Sequence, residues 1–86
     1  MFKIFFTKKS EKELSKISKI DAKRVMERLL KLDYPFPQNF DIDKMEGTKN
    51  FYRLRVGQTR TFVELDIPKK EIWIRKVRYR GSAYKF

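Results

Sequence analysis

Between residues 53 and 60 the chain runs Arg-Leu-Arg-Val-Gly-Gln-Thr-Arg, a spacing that can gather three guanidinium groups around one phosphate. If Gly57-Gln58 forms a two-residue turn, Val56 faces Thr59, Arg55 faces Arg60 and Leu54 faces Thr61 across paired strands. Alternation then puts Arg53, Arg55 and Arg60 on one sheet face and sends Tyr52, Leu54, Val56 and Val63 to the other. Like charges opposed across a ladder destabilise a sheet, and an anion lodged between them relieves that. The plain structural alternative is that the arginine stems cover apolar sheet surface while their heads spread into water. Farther along, Arg75, Lys76, Arg78 and Arg80 are interleaved with Trp73, Tyr79, Tyr84 and Phe86. Guanidinium forks grip phosphates and aromatic rings stack on unpaired bases, so this mixture suits RNA. Trp73 fits sheet or core cover better than a base platform. Tyr84, beyond the Gly81-Ser82 turn, is expected to be exposed and functional.

The inventory around these residues narrows the chemistry. The 86 residues include 22 Lys and Arg against 11 Asp and Glu, a formal charge of +11, with no histidine and no cysteine. A Cys/His metal site, a disulfide and a histidine acid or base are therefore excluded, and no cofactor is expected. Residues 1–32 carry ten basic and four acidic side chains, residues 33–50 two and four, and residues 51–86 ten and three, or +6, −2 and +7. The first third is rich in lysine at positions suited to solvated helix faces, including Lys12, Lys16, Lys19, Lys23 and Lys31. The last third is rich in arginine, whose planar fork holds phosphate in a bidentate grip that lysine cannot match. A polyanionic partner, contacted after residue 50, is the consequence. The short apolar run of residues 1–7 is broken by Lys3, which fits neither a signal peptide nor a membrane span. A cytoplasmic protein without a membrane partner is expected.

The elements that must position these side chains can be read in outline. Phe2, Ile4 and Phe6 share one face of an opening strand over residues 2–6. Thr7 or Ser10 then starts a helix, with Ser10-Glu11-Lys12-Glu13 in the form of a capping box and Leu14 and Ile17 as its buried stripe. Ser18 to Asp21 offers a second start, and Ala22, Val25, Met26, Leu29 and Leu30 follow at amphipathic spacing, predicting an antiparallel helix hairpin. Pro35 and Pro37 stop the second helix, and a polar connection runs to about Asn50. Strands over residues 51–56, 59–66 and 71–77 then form a meander, with turns at Gly57-Gln58 and around Pro68-Lys69-Lys70. The expected fold is α+β, one domain over residues 1–86: a strand, a two-helix hairpin and a three-strand antiparallel meander completing a single sheet. A chain this short buries only about 60% of the surface its unfolded form exposes, so packing alone must make the core.

The stretch from Glu46 to Arg60, with Gly47 ahead of Tyr52-Arg53-Leu54-Arg55-Val56-Gly57, then Arg78-Tyr79-Arg80 and Tyr84, resembles the RelE/ParE toxin superfamily, RelE-like branch. The order of elements agrees, so the resemblance spans essentially the whole chain. It implies a toxin of a type II toxin–antitoxin system that enters the ribosomal A site and cleaves mRNA by in-line attack of a ribose 2′-hydroxyl. By matching position, Arg53 and Arg55 occupy slots where some members carry lysines that bind substrate and help activate that hydroxyl. Arg60 would stabilise the extra charge on the phosphorane, Arg80 would assist the departing 5′-oxygen, and Tyr84 would stack on or orient the nucleotide. Arg75, Lys76, Arg78 and Tyr79 would bind RNA. Arginine stays charged far above neutral pH, so it positions and stabilises rather than deprotonates. The resemblance also implies a RelB-like antitoxin in a heteromeric complex, and ribosome and mRNA as partners. Two other functions fit the same basic scaffold: a ParE-like DNA gyrase inhibitor, and an RNA-binding module without catalysis.

Overall fold

The computed structural model describes residues 1–79, so Arg80 and Tyr84 lie outside the described residues. Along the chain come β1 (Lys3–Phe6), α1 (Lys8–Ser15), α2 (Lys19–Leu30), β2 (Asp41–Lys44), β3 (Phe51–Val56), β4 (Thr59–Asp66) and β5 (Glu71–Tyr79). The strands make one sheet in the order β1-β5-β4-β3-β2, with β1 parallel to β5 and the other neighbours antiparallel. This is the expected α+β architecture with one strand more than the meander contained. The supposed polar connection holds β2, where Ile42 alternates with charged neighbours and pairs with Leu54.

The β3–β4 hairpin has the register its turn length dictates. Val56 faces Thr59, Arg55 faces Arg60 and Leu54 faces Thr61. Gly57 has φ +58, while Gln58 is not in the left-handed region. A two-residue loop with positive φ only at its first position is the II′ pattern, whose twist matches that of the strands. Strand alternation then separates the faces. Leu54 and Val56 of β3, Val63 and Leu65 of β4, and Ile72, Ile74 and Val77 of β5 are buried with Val25 and Leu29 of α2. The opposite face of the sheet carries the charged and aromatic residues of the same strands. One irregularity interrupts the alternation: Phe62 pairs with Lys76 but Val63 pairs with Ile74, so Arg75 is an extra residue in β5.

The helices close the inner face, with departures from the sequence pattern. Thr7, not Ser10, caps α1, its side chain accepting from the Ser10 amide, while the buried Ser10 hydroxyl donates to the Thr7 carbonyl at 2.8 Å. Ser18 caps α2 by accepting from Asp21, as its sequence suggests. Ile17 is buried in the link between the helices, whereas Leu30 is 67% exposed because α2 ends there with its last apolar residue turned off the core. Below the core, Phe2, Tyr34, Phe36 and Tyr52 pack edge to face in sequence, with centroids 5.7, 5.2 and 4.9 Å apart.

β1 is shorter than β5, and α1 takes over where it stops. The Thr7 amide donates to the Ile74 carbonyl at 3.2 Å, and farther along the same edge the Val77 amide donates to the Glu13 carboxylate at 2.9 Å. Glu13 thus supplies the acceptor that a longer β1 would have supplied, and not the capping-box bond expected of it. At the other end of β1, Asp33 accepts from the Phe2 amide at 2.9 Å and from the Tyr34 amide at 2.8 Å.

Two stability predictions follow from these contacts. The Phe2 amide first, and then the Tyr34 amide, hold the Asp33 carboxyl below its ordinary value of 3.8. A carboxyl depressed in the folded state contributes stability that is present above its unfolded pKa and lost as pH falls through the folded one. Asp33→Asn is expected to lower the urea midpoint at pH 7, and the gap to the parent protein should close as both are titrated below pH 3.8. Thr61 is fully buried with its hydroxyl oxygen unpaired among the described residues. Thr61→Val keeps the shape and removes that group, so unfolding should become harder by about 1 kcal/mol; a loss of stability would show that the hydroxyl is satisfied.

Candidate functional site

The face of the sheet away from the helices is organised in rows set by the register. One row runs Asp41, Arg55, Arg60, Arg78 across β2, β3, β4 and β5. The next runs Asp43, Arg53, Phe62, Lys76. Facing residues of neighbouring strands have Cβ atoms only about 4.5–5.5 Å apart. Three arginines in one row, with Arg53 beside them, therefore make a dense cationic surface that no helix of the described residues covers.

Its members differ in how they are held. Arg78 pairs with Glu13, which sits at the sheet edge with its side chain only 12% exposed and also accepts from the Val77 amide. Arg75 turns away from the row: its Nε and Nη2 both donate to one Glu64 oxygen, at 2.8 and 2.6 Å, and its guanidinium lies 5.4 Å from the Trp73 ring centroid. Arg53 and Arg55 form no ion pair among the described residues. Arg53 is half-buried, with Nε out of water and without a hydrogen-bond partner, so its stem lies along the sheet instead of standing off it. A cleft of about 530 Å³ beside Arg53 is lined by Asp43, Lys44, Met45 and Glu46. Its two carboxylates are matched by Lys44 and Arg53, so the charged lining of the cleft is balanced, unlike the row of arginines beside it.

The sheet thus brings together Arg53, Arg55, Arg60, Lys76 and Arg78, and leaves others apart. Arg75 belongs to an ion pair over Trp73. Tyr79 faces Thr59 and packs against the core, on the other side of the sheet from the arginines. Trp73 is sheet cover: it stacks on Phe5 at 4.9 Å and donates to Glu71 at 3.0 Å. Sequence reasoning missed Asp41 and Asp43, whose carboxylates end both rows, because their strand is only four residues long. The one available signal was the alternation Asp41-Ile42-Asp43. It also missed the contact of Glu13 with β5, which lies 64 residues away in the chain and leaves no local mark.

What such a face can do follows from its groups. Guanidinium pairs hold a phosphate diester and neutralise charge that develops on it. None of them accepts a proton near neutral pH. Groups of this kind can bind a phosphate and stabilise charge on it, and cannot serve as its general base.

Solved structures share this architecture over nearly the whole chain. The archaeal RelE–RelB complex from Pyrococcus horikoshii OT3 matches with a TM-score of 0.78 and 32% identity, covering 94% of this chain and 97% of that one. The RelB–RelE antitoxin–toxin complex from Methanococcus jannaschii matches at 0.76 and 28%, covering 93% and 94%. The isolated E. coli RelE toxin matches at 0.76 over 98% and 92%, where 17% identity makes it a likeness of fold. No family model matches, and neither does any curated protein. With the archaeal likeness holding in sequence as well as fold across almost the full length of both chains, this chain belongs to the RelE/ParE toxin superfamily, among the RelE toxins.

Proposed function

We propose that this chain is the toxin of a toxin–antitoxin pair and acts as an endoribonuclease, cleaving messenger RNA in the ribosomal A site of the cytoplasm and so halting translation. The observation that carries this is Arg55 facing Arg60, with Arg53 on the same uncovered face. In the proposed reaction a ribose 2′-oxygen attacks the adjacent phosphorus and gives up its proton. The bond from phosphorus to the 5′-oxygen breaks, that oxygen takes up a proton, and a 2′,3′-cyclic phosphate and a 5′-hydroxyl result. Arg53 and Arg55 bind and orient the diester, and Arg60 stabilises the added charge on the phosphorane. Arg80 and Tyr84 are assigned by sequence resemblance to the leaving oxygen and to the nucleotide ring. The chain contributes charge and orientation; the protons move to and from groups other than these arginines.

The partner is proposed on the same footing. The Pyrococcus and Methanococcus neighbours are RelE proteins in complex with RelB. A RelB-like antitoxin with an acidic or amphipathic segment suits a chain of formal charge +11.

Primer extension on mRNA with programmed ribosomes tests the activity. Cuts within the A-site codon that need the ribosome are expected, and Arg60→Ala should slow them by about 100- to 1,000-fold while leaving the thermal transition in place. Gyrase inhibition without any cut would replace this function with the other branch of the superfamily, and RNA binding without either effect would reduce it to a binding module. Co-expression of a RelB-like antitoxin, expected to be encoded beside this chain, should restore growth to cells arrested by it. Continued arrest with the antitoxin present and soluble would count against the pairing.

A further inference from the structure

Phe62 stands at the centre of the uncovered face, pointing outward between the inward Thr61 and Val63. It faces Arg53 on β3 and Lys76 on β5. The aromatic pair on the same face is already engaged, Phe5 against Trp73 and Trp73 beneath the Arg75 guanidinium. Phe62 has no ring or cation partner among the described residues. The extra residue in β5 contributes to this, because Arg75 is drawn to Glu64 and Lys76 is left as the neighbour across the ladder. A half-buried phenyl ring flanked by cations, with no helix above it among the described residues, offers a π-face where bases of a single strand can stack.

We propose that Phe62 is a nucleobase-stacking platform, a substrate-positioning residue that takes a base next to the phosphate held by Arg55 and Arg60, with Arg53 and Lys76 on the backbone at either side. The inference rests on the RNA-directed reading of the arginine face. Phe62 lies two residues along β4 from Arg60, about 7 Å, a separation suited to a phosphate and a base of the same or the adjoining nucleotide. Stacking restrains the ribose that carries the attacking hydroxyl, so the platform orients the strand without touching the reacting atoms.

Short single-stranded RNA carrying 2-aminopurine tests this with the full 86-residue chain, separately from cleavage. The parent protein should quench the probe on binding. Phe62→Leu should abolish the quench and weaken binding about 10-fold, with the slope of log affinity against log salt unchanged, since no charge is lost. Phe62→Tyr should restore both. Arg60→Ala should instead lower that slope by about 0.7. Thermal unfolding of each variant identifies any that has lost its fold, and Phe62→Tyr then carries the comparison. Quenching and affinity that survive Phe62→Leu, or an absence of quenching in the parent protein, would overturn the platform while an altered slope in Arg60→Ala keeps the arginine site. If neither variant alters RNA binding, both the platform and the arginine reading fall.

Discussion

A two-residue turn at Gly57-Gln58 holds β3 and β4 in a single register, and the side-chain period of two makes everything else on the sheet follow from it. A slip of one residue would turn one strand over relative to the other, exposing Leu54 and Val56 while burying Arg53 and Arg55, or exposing Val63 and Leu65 while burying Arg60. The hydrophobic core and the cationic face are therefore two consequences of one constraint. β5 extends the division, with Ile72, Ile74 and Val77 inward and Lys76 and Arg78 outward. Among the described residues the helices cover only the inner face.

The cationic row is destabilising when considered by itself, and the neighbouring contacts limit the effect. Glu13 meets Arg78 at the β5 edge, and Asp41 and Asp43 end the rows on β2. Arg75 and Glu64 are both substantially exposed, at 41% and 30%, so their ion pair adds at most about 1 kcal/mol. Its clearer effect is spatial, since it draws one cation and one anion off the rows. The Glu13 contact is of another kind. It satisfies a backbone amide on a strand edge as well as a guanidinium, and it fixes α1 against β5 through a bond that water would otherwise compete for.

Much of this was legible because it depended on short-range rules. The hairpin register, the segregation of Arg53, Arg55 and Arg60 from Leu54 and Val56, and the Ser18 cap all follow from turn length, alternation and local hydrogen bonding. The parts that were not legible depend on distant partners. β2 is a strand because Ile42 pairs with Leu54, and four residues of mixed charge do not announce that. Glu13 had a plausible local task as a capping residue, which Thr7 made unnecessary. The irregularity beside Phe62 places Arg75 and Lys76 consecutively between inward residues, whereas strict alternation would have sent one of them to the core. Tyr79 was grouped with the arginines by its neighbours in sequence, yet the same alternation puts it on the inner face opposite Thr59.

The chemistry of the face points to a division of labour. Arginine holds its charge far above neutral pH, so the proposed site would grip and stabilise a phosphate regardless of proton balance. That permanence also prevents it from acting as the base toward a 2′-hydroxyl. The carboxylates nearest the row are Asp41 and Asp43 at its β2 end and Glu13 at its β5 end, where Arg78 and the Val77 amide engage it, and a strand lies between each of them and Arg60. A phosphate bound as proposed between Arg55 and Arg60 would meet guanidinium groups at close range and carboxylates only at the margin. In the proposed reaction, positioning is then the main contribution of this chain, and the parts proposed to fix the nucleotide are the facing arginines and the ring of Phe62 one row away.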